Sequence, residues 1–559
     1  MANLLETLDA QLDQLFRSWN IWSTILAVIL LVLLLYPLFT GSEPDTHPLL
    51  LTRQANIAPV RQSGGSAVYR SLEIPHSYPL RTGLNVKQPG QSKWAMGKNG
   101  DLRDVWRRAS GGGVDDEGQP TGAKGKLLTI YGKDIEEHNF DDVSREINAI
   151  GTYIQQKQAK AVAIYLPNCI ELLATVFAAA YHGFTPVLIP FNQPDDVAMQ
   201  LLKLSQADFL VSAAGSIPAQ RLKQKCPNIV ETISVVEKTS RHMDWDQEGA
   251  STWHEIVDQA SSTVTSDLPT VENAELKDIV TIWQNDTPNS GEIVSFTQGN
   301  LVSAIGAQIS ALPAKHRMSP SDLFLPADAL TSIYILVQTL AALYSNASVA
   351  LNSVAGKEVE LPAAVMGVAP TIIAASAETA LKLHRDSTTN VKTAAKKLAH
   401  RAQSQALAAG YMPTTSLATK FNEPHRASIG TPPGKLRLLY IFERAHAGTP
   451  PVSSEELSDL RVFTGARVIY ALTASKVAGT VTQTSYYDYR IDAATKGKHS
   501  HFGSPVSSLE LKLVDSDTHK TTDQKVQGEI VASGPSVQHG SASLGVSGTF
   551  RQDGTLAYV

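Results

Sequence analysis

The sequence predicts an α/β body, parallel sheets with flanking helices followed by a small β-rich subdomain, preceded by one transmembrane helix. Three observations carry that expectation. "IWSTILAVILLVLLLYPLF", Ile21 to Phe39, holds no charge. From about residue 126, short apolar runs alternate with helical periodicity, the pattern of parallel strands covered by helices. After Tyr470 the texture shifts to "HFGSPVSSLELKLVDSD" and "VQGEIVASGP", apolar alternation broken by turn residues, as in antiparallel strands. The expected divisions are a leader at 1–20, the membrane helix at 21–40, a juxtamembrane linker at 41–125, the α/β body at 126–470 and the β-rich subdomain at 471–559.

Composition bounds the function. The 559 residues are 43% hydrophobic, enough for several buried cores and too apolar for a disordered chain. A net charge of -5 argues against nucleic acid as a partner, because phosphate recognition leaves a basic footprint. Cys169 and Cys226 stand far apart, with no CxxC and no adjacent histidine pattern, so they read as ordinary thiols.

Taken in order, the apolar run is long enough for a hydrocarbon core of about 30 Å. It exceeds a signal-peptide core, and no small-residue cleavage site follows. Trp19, Trp22 and Tyr36 stand where interfacial aromatics belong. Glu6, Asp9 and Asp13 precede the run, and Arg53, Arg61, Arg70 and Arg81 follow it. The positive-inside bias therefore predicts a single-pass protein, at the endoplasmic reticulum in our reading, with its body facing the cytosol. Residues 41–125 are rich in Pro, Gly, Ser and Arg and read as linker. "AVAIYLPNCIELLATVFAAAYHGFTPVLIPF" then predicts a strand, a helix over about 170–181, Gly183 at its end, and a second strand.

The loop in "WQNDTPNSGEIVSFTQGNL", Trp283 to Leu301, lies between two apolar strands and is followed by a helix start. A loop there cradles phosphate only if glycines admit the backbone amides and a lysine supplies charge. Its candidate positions hold Asp286, Asn289 and Glu292, and no Lys or Arg occurs between Asp278 and Lys315.

Together with "GNLVSA", "RVIYALT", "FGSPVSSLELKLVD" and "GEIVASGPSV", these segments resemble, over roughly residues 125–559, the adenylate-forming superfamily and its acyl-CoA synthetase branch. That resemblance implies activation of a carboxylate by ATP with magnesium, then acyl transfer to coenzyme A. The family's phosphate loop, approximately Thr-Ser-Gly-Thr-Thr-Gly-x-Pro-Lys-Gly, aligns with "QNDTPNSGEI". Asp286 and Asn289 then replace glycines and Glu292 replaces the lysine. A charge pair at about 4 Å is worth about 4 kcal/mol at an effective dielectric near 20, so the reversal is strongly unfavourable beside a triphosphate. Of the family's Tyr-Gly-x-Thr-Glu, Tyr470 and Thr473 remain, either as part of a nucleotide site or as strand-end packing. Ala474 replaces the magnesium-binding glutamate and offers no oxygen. "FRQDGTLAYV" stands where Thr-Gly-Asp is expected, with Asp553 either its transposed remnant or part of the strand after a deletion. The family's C-terminal catalytic domain is expected to be missing.

Other segments remain open. Lys382, Lys392, Lys396, Lys397 and Arg401 lie on helices that either rest on anionic lipid or form a solvated face. His501 reads as a surface residue, and "GTPPGK" at 430–435 as a turn without Walker spacing. "LTSIYILVQTLAALY", Leu330 to Tyr344, resembles the lining of the family's acyl tunnel, or is packed core. Asn285 and Asn346 head formal sequons. No G-x-S-x-G elbow and no metal-ligand spacing is present. The expectation is a membrane-bound, catalytically degenerate relative of acyl-CoA synthetases that works without a cofactor and has a binding or regulatory role in lipid metabolism. Candidate partners are an acyl chain or acyl-CoA and an active synthetase or other protein. An active or partner-completed ligase using ATP and magnesium, and a membrane scaffold recruiting a cytosolic protein, are the alternatives.

Overall fold

A computed structural model describes residues 19–559 apart from 41–42, 88–90, 93, 114–120, 237–249, 261–263, 270–275, 285–290, 415, 424–428, 430–434 and 492–498; side chains are not described at 33–40. Three sheets build the body. The seven-stranded sheet runs, in spatial order, Gly291–Phe296, Ile279–Gln284, Thr185–Leu188, Ala161–Tyr165, Phe209–Ala213, Glu231–Val235 and Ala250–Thr252. It is parallel except for the hairpin at its first edge. The nine-stranded sheet runs Ser504–Pro505, Thr482–Gln483, Arg467–Thr473, Leu438–Arg444, Ile372–Ser376, Leu323–Pro326, Ser348–Asn352, Leu127–Tyr131 and Asp134–His138. Its six central strands are parallel, with antiparallel strands at both edges. A six-stranded antiparallel sheet joins Ala55–Ile57 and Tyr69–Ser71 to Glu510–Val514, Gln527–Ser533, Ser541–Phe550 and Leu556–Tyr558.

Local sequence explains the main elements. "LLYIF" within Leu438–Arg444 is buried at every residue, because a parallel strand covered on both faces has no solvated side. Helix Ile170–His182 ends at Gly183, whose φ of 81° suits a residue without Cβ. Helices Gln298–Ser310 and Ser454–Thr464 begin with reciprocal capping boxes, Thr297 with Asn300 and Ser453 with Glu456, which satisfy amides the helix leaves open. In helix Ile333–Tyr344 every residue from Ile333 to Leu343 is buried, and Tyr334 packs on Phe442 with ring centroids 4.7 Å apart. The segment that resembled a tunnel lining thus lies within the main hydrophobic core.

The 41–125 linker expectation needs correction. Its strands Ala55–Ile57 and Tyr69–Ser71 belong to the antiparallel sheet, and Tyr69 stacks on Phe550 at 3.6 Å. Helix Leu102–Gly111 buries Leu102, Val105, Trp106 and Ala109, spaced as one helical face. Trp106 sits 4.8 Å from Phe177 and 5.6 Å from Phe140, and its indole donates to Ser144 Oγ at 3.0 Å. The compact unit accordingly runs Pro48–Val559, and Met1–His47 forms a separate one. The division at 470/471 also shifts, because strand Arg467–Thr473 crosses it inside the nine-stranded sheet.

The helix expected at 21–40 is present as Ile21–Thr40, and its described side chains, Ile21 to Val32, include many exposed apolar residues. Among the described residues no helix is long and apolar enough to cross a membrane.

Candidate functional site

In open α/β sheets, ligand sites form in the crevice outside the carboxyl ends of the strands. Here the carboxyl ends of both large sheets meet. Arg444, last residue of strand Leu438–Arg444, sets its guanidinium carbon 5.7 Å from the ring centroid of Trp283, on strand Ile279–Gln284. Asn168, after strand Ala161–Tyr165, crosses the same gap. It donates to Asp328 O at 2.9 Å and accepts from Leu330 N at 2.7 Å. Burial pushes the Asp328 carboxyl above its ordinary value, with Arg444 opposing the shift. The Arg444 Nη2 is buried with no hydrogen-bond partner among the described residues. A cavity beside Asn168 is lined by Thr129, Tyr131, Asn168, Cys169, Glu171 and Ser353.

The loop candidates divide. Asp286 and Asn289 lie outside the described residues. Glu292 pairs in register with Trp283, and Gly291 with Gln284, so the hairpin closes tightly beneath the loop. Its carboxylate lies 3.1 Å from Lys476 Nζ, both side chains partly exposed. The absence of a basic residue within the loop segment is therefore offset in space by a lysine from beyond strand Arg467–Thr473. Sequence proximity alone does not reveal it.

Tyr470 and Thr473 come together on Glu443. The parallel register places Tyr470 beside Ile441 and Thr473 beside Arg444. The Tyr470 hydroxyl donates to the Glu443 carboxylate and accepts from Val452 N at 3.1 Å. Thr473 Oγ1 donates to Glu443 O at 2.9 Å. Tyr558, on the strand Leu556–Tyr558, also hydrogen-bonds the Glu443 carboxylate, and Phe502 packs between the two tyrosines at 5.0 and 4.8 Å. Burial pushes the Glu443 carboxyl up to about 7, against the two tyrosine hydrogen bonds. Ala474 is buried in the hydrophobic core on the same side as Tyr470.

Asp553 belongs to a different cluster. Its Oδ1 accepts from Thr555 N at 3.0 Å and Oγ1 at 2.7 Å, and its Oδ2 pairs with Arg490 Nη1 at 2.9 Å. Arg490 also grips Asp488 at 2.6 Å, and Gln54 donates to the same carboxylate at 2.8 Å. His501, expected at the surface, is buried here, 3.5 Å from Asp488. Burial holds its imidazole below the ordinary value while Asp488 pulls the other way. The Gly503 amide donates to His501 Nδ1 at 3.1 Å, so the turn that suggested exposure instead folds over the ring.

Sequence reasoning missed Glu443, Arg444, Lys476 and Tyr558. A signal existed for the first two, since "ER" closes an otherwise apolar strand at the end where sites form. Asn346, head of a formal sequon, is buried with a φ of 56°, whereas Asn285 lies outside the described residues, as does nearly all of the 430–435 turn.

Comparison with known proteins agrees with the fold. Residues 117–283 match the family model of the AMP-binding enzymes. The Saccharomyces cerevisiae protein YHR045W is 22% identical over 571 residues, covering 93% of this chain and 92% of that protein. Among solved structures, an anthranilate CoA ligase in complex with anthranoyl-AMP superposes with a TM-score of 0.58 at 14% identity, covering 82% of this chain and 77% of that one. A long-chain-fatty-acid-CoA ligase from Archaeoglobus fulgidus gives 0.56 at 13% identity, with 86% of each chain covered. The body thus has the fold of acyl- and aryl-CoA ligases, with its match to the AMP-binding enzymes at residues 117–283.

Proposed function

We propose that the protein is a membrane-anchored, non-catalytic acyl-CoA synthetase-like protein with a binding or regulatory role in fatty-acid metabolism, its body exposed to the cytosol at the endoplasmic reticulum. The observation carrying the loss of catalysis is the Glu292 to Lys476 pair at the base of the loop. A carboxylate there repels a triphosphate and occupies the cation nearest to it. The residues of the second motif are engaged as well, because Tyr470 and Thr473 both bind Glu443 and Ala474 supplies no oxygen. Magnesium takes oxygen ligands, and this set is a poor match to a magnesium triphosphate. Exposed apolar residues of helix Ile21–Thr40, among them Trp22, Leu26 and Leu31, support the anchor. The decisive experiment is carboxylate-dependent ATP–pyrophosphate exchange by the full chain across a panel of fatty and aryl acids. Background exchange is expected, and exchange above background with any acid reverses the assignment.

A second reading, an active or partner-completed ligase, is favoured by Lys476 itself, which brings a positive charge to the loop from elsewhere in the fold. Under that reading Glu292→Gln releases the lysine and raises exchange. Under ours it does not.

A further inference from the structure

We propose that the paired helices Ala394–Ala408 and Leu417–Asn422 form a docking surface for an anionic membrane. The two are tied to one another through Gln403, whose Nε2 donates to Thr419 Oγ1 at 3.3 Å and whose Oε1 accepts from Asn422 Nδ2 at 2.8 Å. Their inward face is settled, with Gln403, Ala406, Leu407 and Thr419 buried. The outward face is not. Leu398 is 71% exposed, Leu417 70% and Phe421 51%.

Charge identifies the occupant. From Val391 to Asn422 the chain holds Lys392, Lys396, Lys397, Arg401 and Lys420 and no Asp or Glu. Lys392, Lys397, Arg401 and Lys420 are exposed and have no ion pair among the described residues, while Lys396 donates to Asn390 O at 3.2 Å. Lys382, on the preceding helix, pairs with Glu360 at 3.3 Å, and His400 turns to Asp459 at 3.1 Å, so neither belongs to the surface. The next acid along the chain is Glu423, exposed at the end of the second helix. Arg401 lies three residues after Leu398 and Lys420 three after Leu417, the spacing that puts an apolar side chain and a cation on one helix face. That arrangement fits a headgroup layer, where ammonium groups meet lipid phosphates and carboxylates while Leu and Phe enter the acyl boundary. This surface is independent of whether the body has lost catalysis.

The test is hydrogen exchange of the full chain on vesicles of phosphatidylcholine alone and on vesicles also containing phosphatidylserine. Comparing the two cancels whatever the N-terminal apolar helix contributes. Peptides within 394–422 should gain protection only on the anionic vesicles, and lose it in high salt. The triple variant Lys397→Glu, Arg401→Glu, Lys420→Glu should weaken that dependence about tenfold or more, with peptides of strand Leu438–Arg444 unchanged as the control for folding. The variant Leu417→Ser, Phe421→Ser, which keeps every charge, should reduce it as well. Equal protection on both vesicle types overturns the proposal. Equal protection by polyglutamate without vesicles also overturns it and assigns the surface to an acidic protein.

Discussion

The hydroxyl of Tyr470 donates to the carboxylate of Glu443, on the neighbouring parallel strand and 27 residues earlier in the chain. The pair lies inside the body, with Glu443 only 3% exposed. A carboxyl pushed up to about 7 by burial keeps its proton below that pH and ionises above it. Because the folded value lies above the ordinary 4.5, Glu443 stabilises the fold below that value, and its contribution is lost as pH rises through 7. The change is about 3 kcal/mol at most. Melting temperature should therefore fall between pH 5 and pH 8, and Glu443→Gln should flatten that part of the profile. An unchanged slope in the variant removes Glu443 as its cause.

Asp488 has the opposite sign. Burial alone would raise its carboxyl, but Arg490 and His501 hold it well below the usual range. Its contribution is present above the ordinary value of 3.8 and is lost only in strong acid. Asp488→Ala removes the buried carboxylate that Arg490 and Gln54 both bind, leaving Arg490 only Asp553, and should cost about 3–5 kcal/mol, read as a fall in urea midpoint at pH 7. A loss below about 1 kcal/mol would mean the network rearranges around the gap.

The Glu292 to Lys476 pair is another matter energetically. Both side chains are more than a third exposed, so a double-mutant cycle with Glu292→Ala and Lys476→Ala should give less than about 1 kcal/mol. A larger coupling would make the pair a structural clasp.

Trp106→Ala tests the reassignment of residues 41–125. Removing a buried indole should cost about 3–5 kcal/mol and lower the unfolding midpoint of the whole body. A linker residue would produce almost no change.

Topology has its own readout. The full chain should resist alkaline extraction from membranes, and protease added to sealed microsomes should remove the body. Asn346 is a poor glycosylation reporter, since its side chain is buried. An acceptor placed on an exposed loop is needed, and its glycosylation would reverse the orientation.

The parallel core was legible because continuous apolar runs such as "LRLLYIF" and the Gly183 helix stop follow from local physics. Short pieces were not. Ala55–Ile57 and Tyr69–Ser71 are each three residues, too brief for any periodicity; the second pairs with strand Glu510–Val514 more than 400 residues away, and the first pairs with the second. The candidate site was half legible for the same reason. Tyr470 and Thr473 could be read from their motif, but the groups facing them, Glu443 and Tyr558, are neighbours only through sheet pairing and strand closure.

The hairpin Ile279–Gln284 with Gly291–Phe296 carries an evolutionary consequence. Six cross-strand pairs, from Ile279 with Phe296 to Gln284 with Gly291, fix where the intervening residues begin and end. Selection for a folded body therefore constrains the span of that connection and is blind to its chemistry. A lineage released from turnover can exchange residues of that connection while the pairs that close it stay in place. If the proposed loss of turnover holds, such a chain passes from enzyme to binding protein through states that all fold.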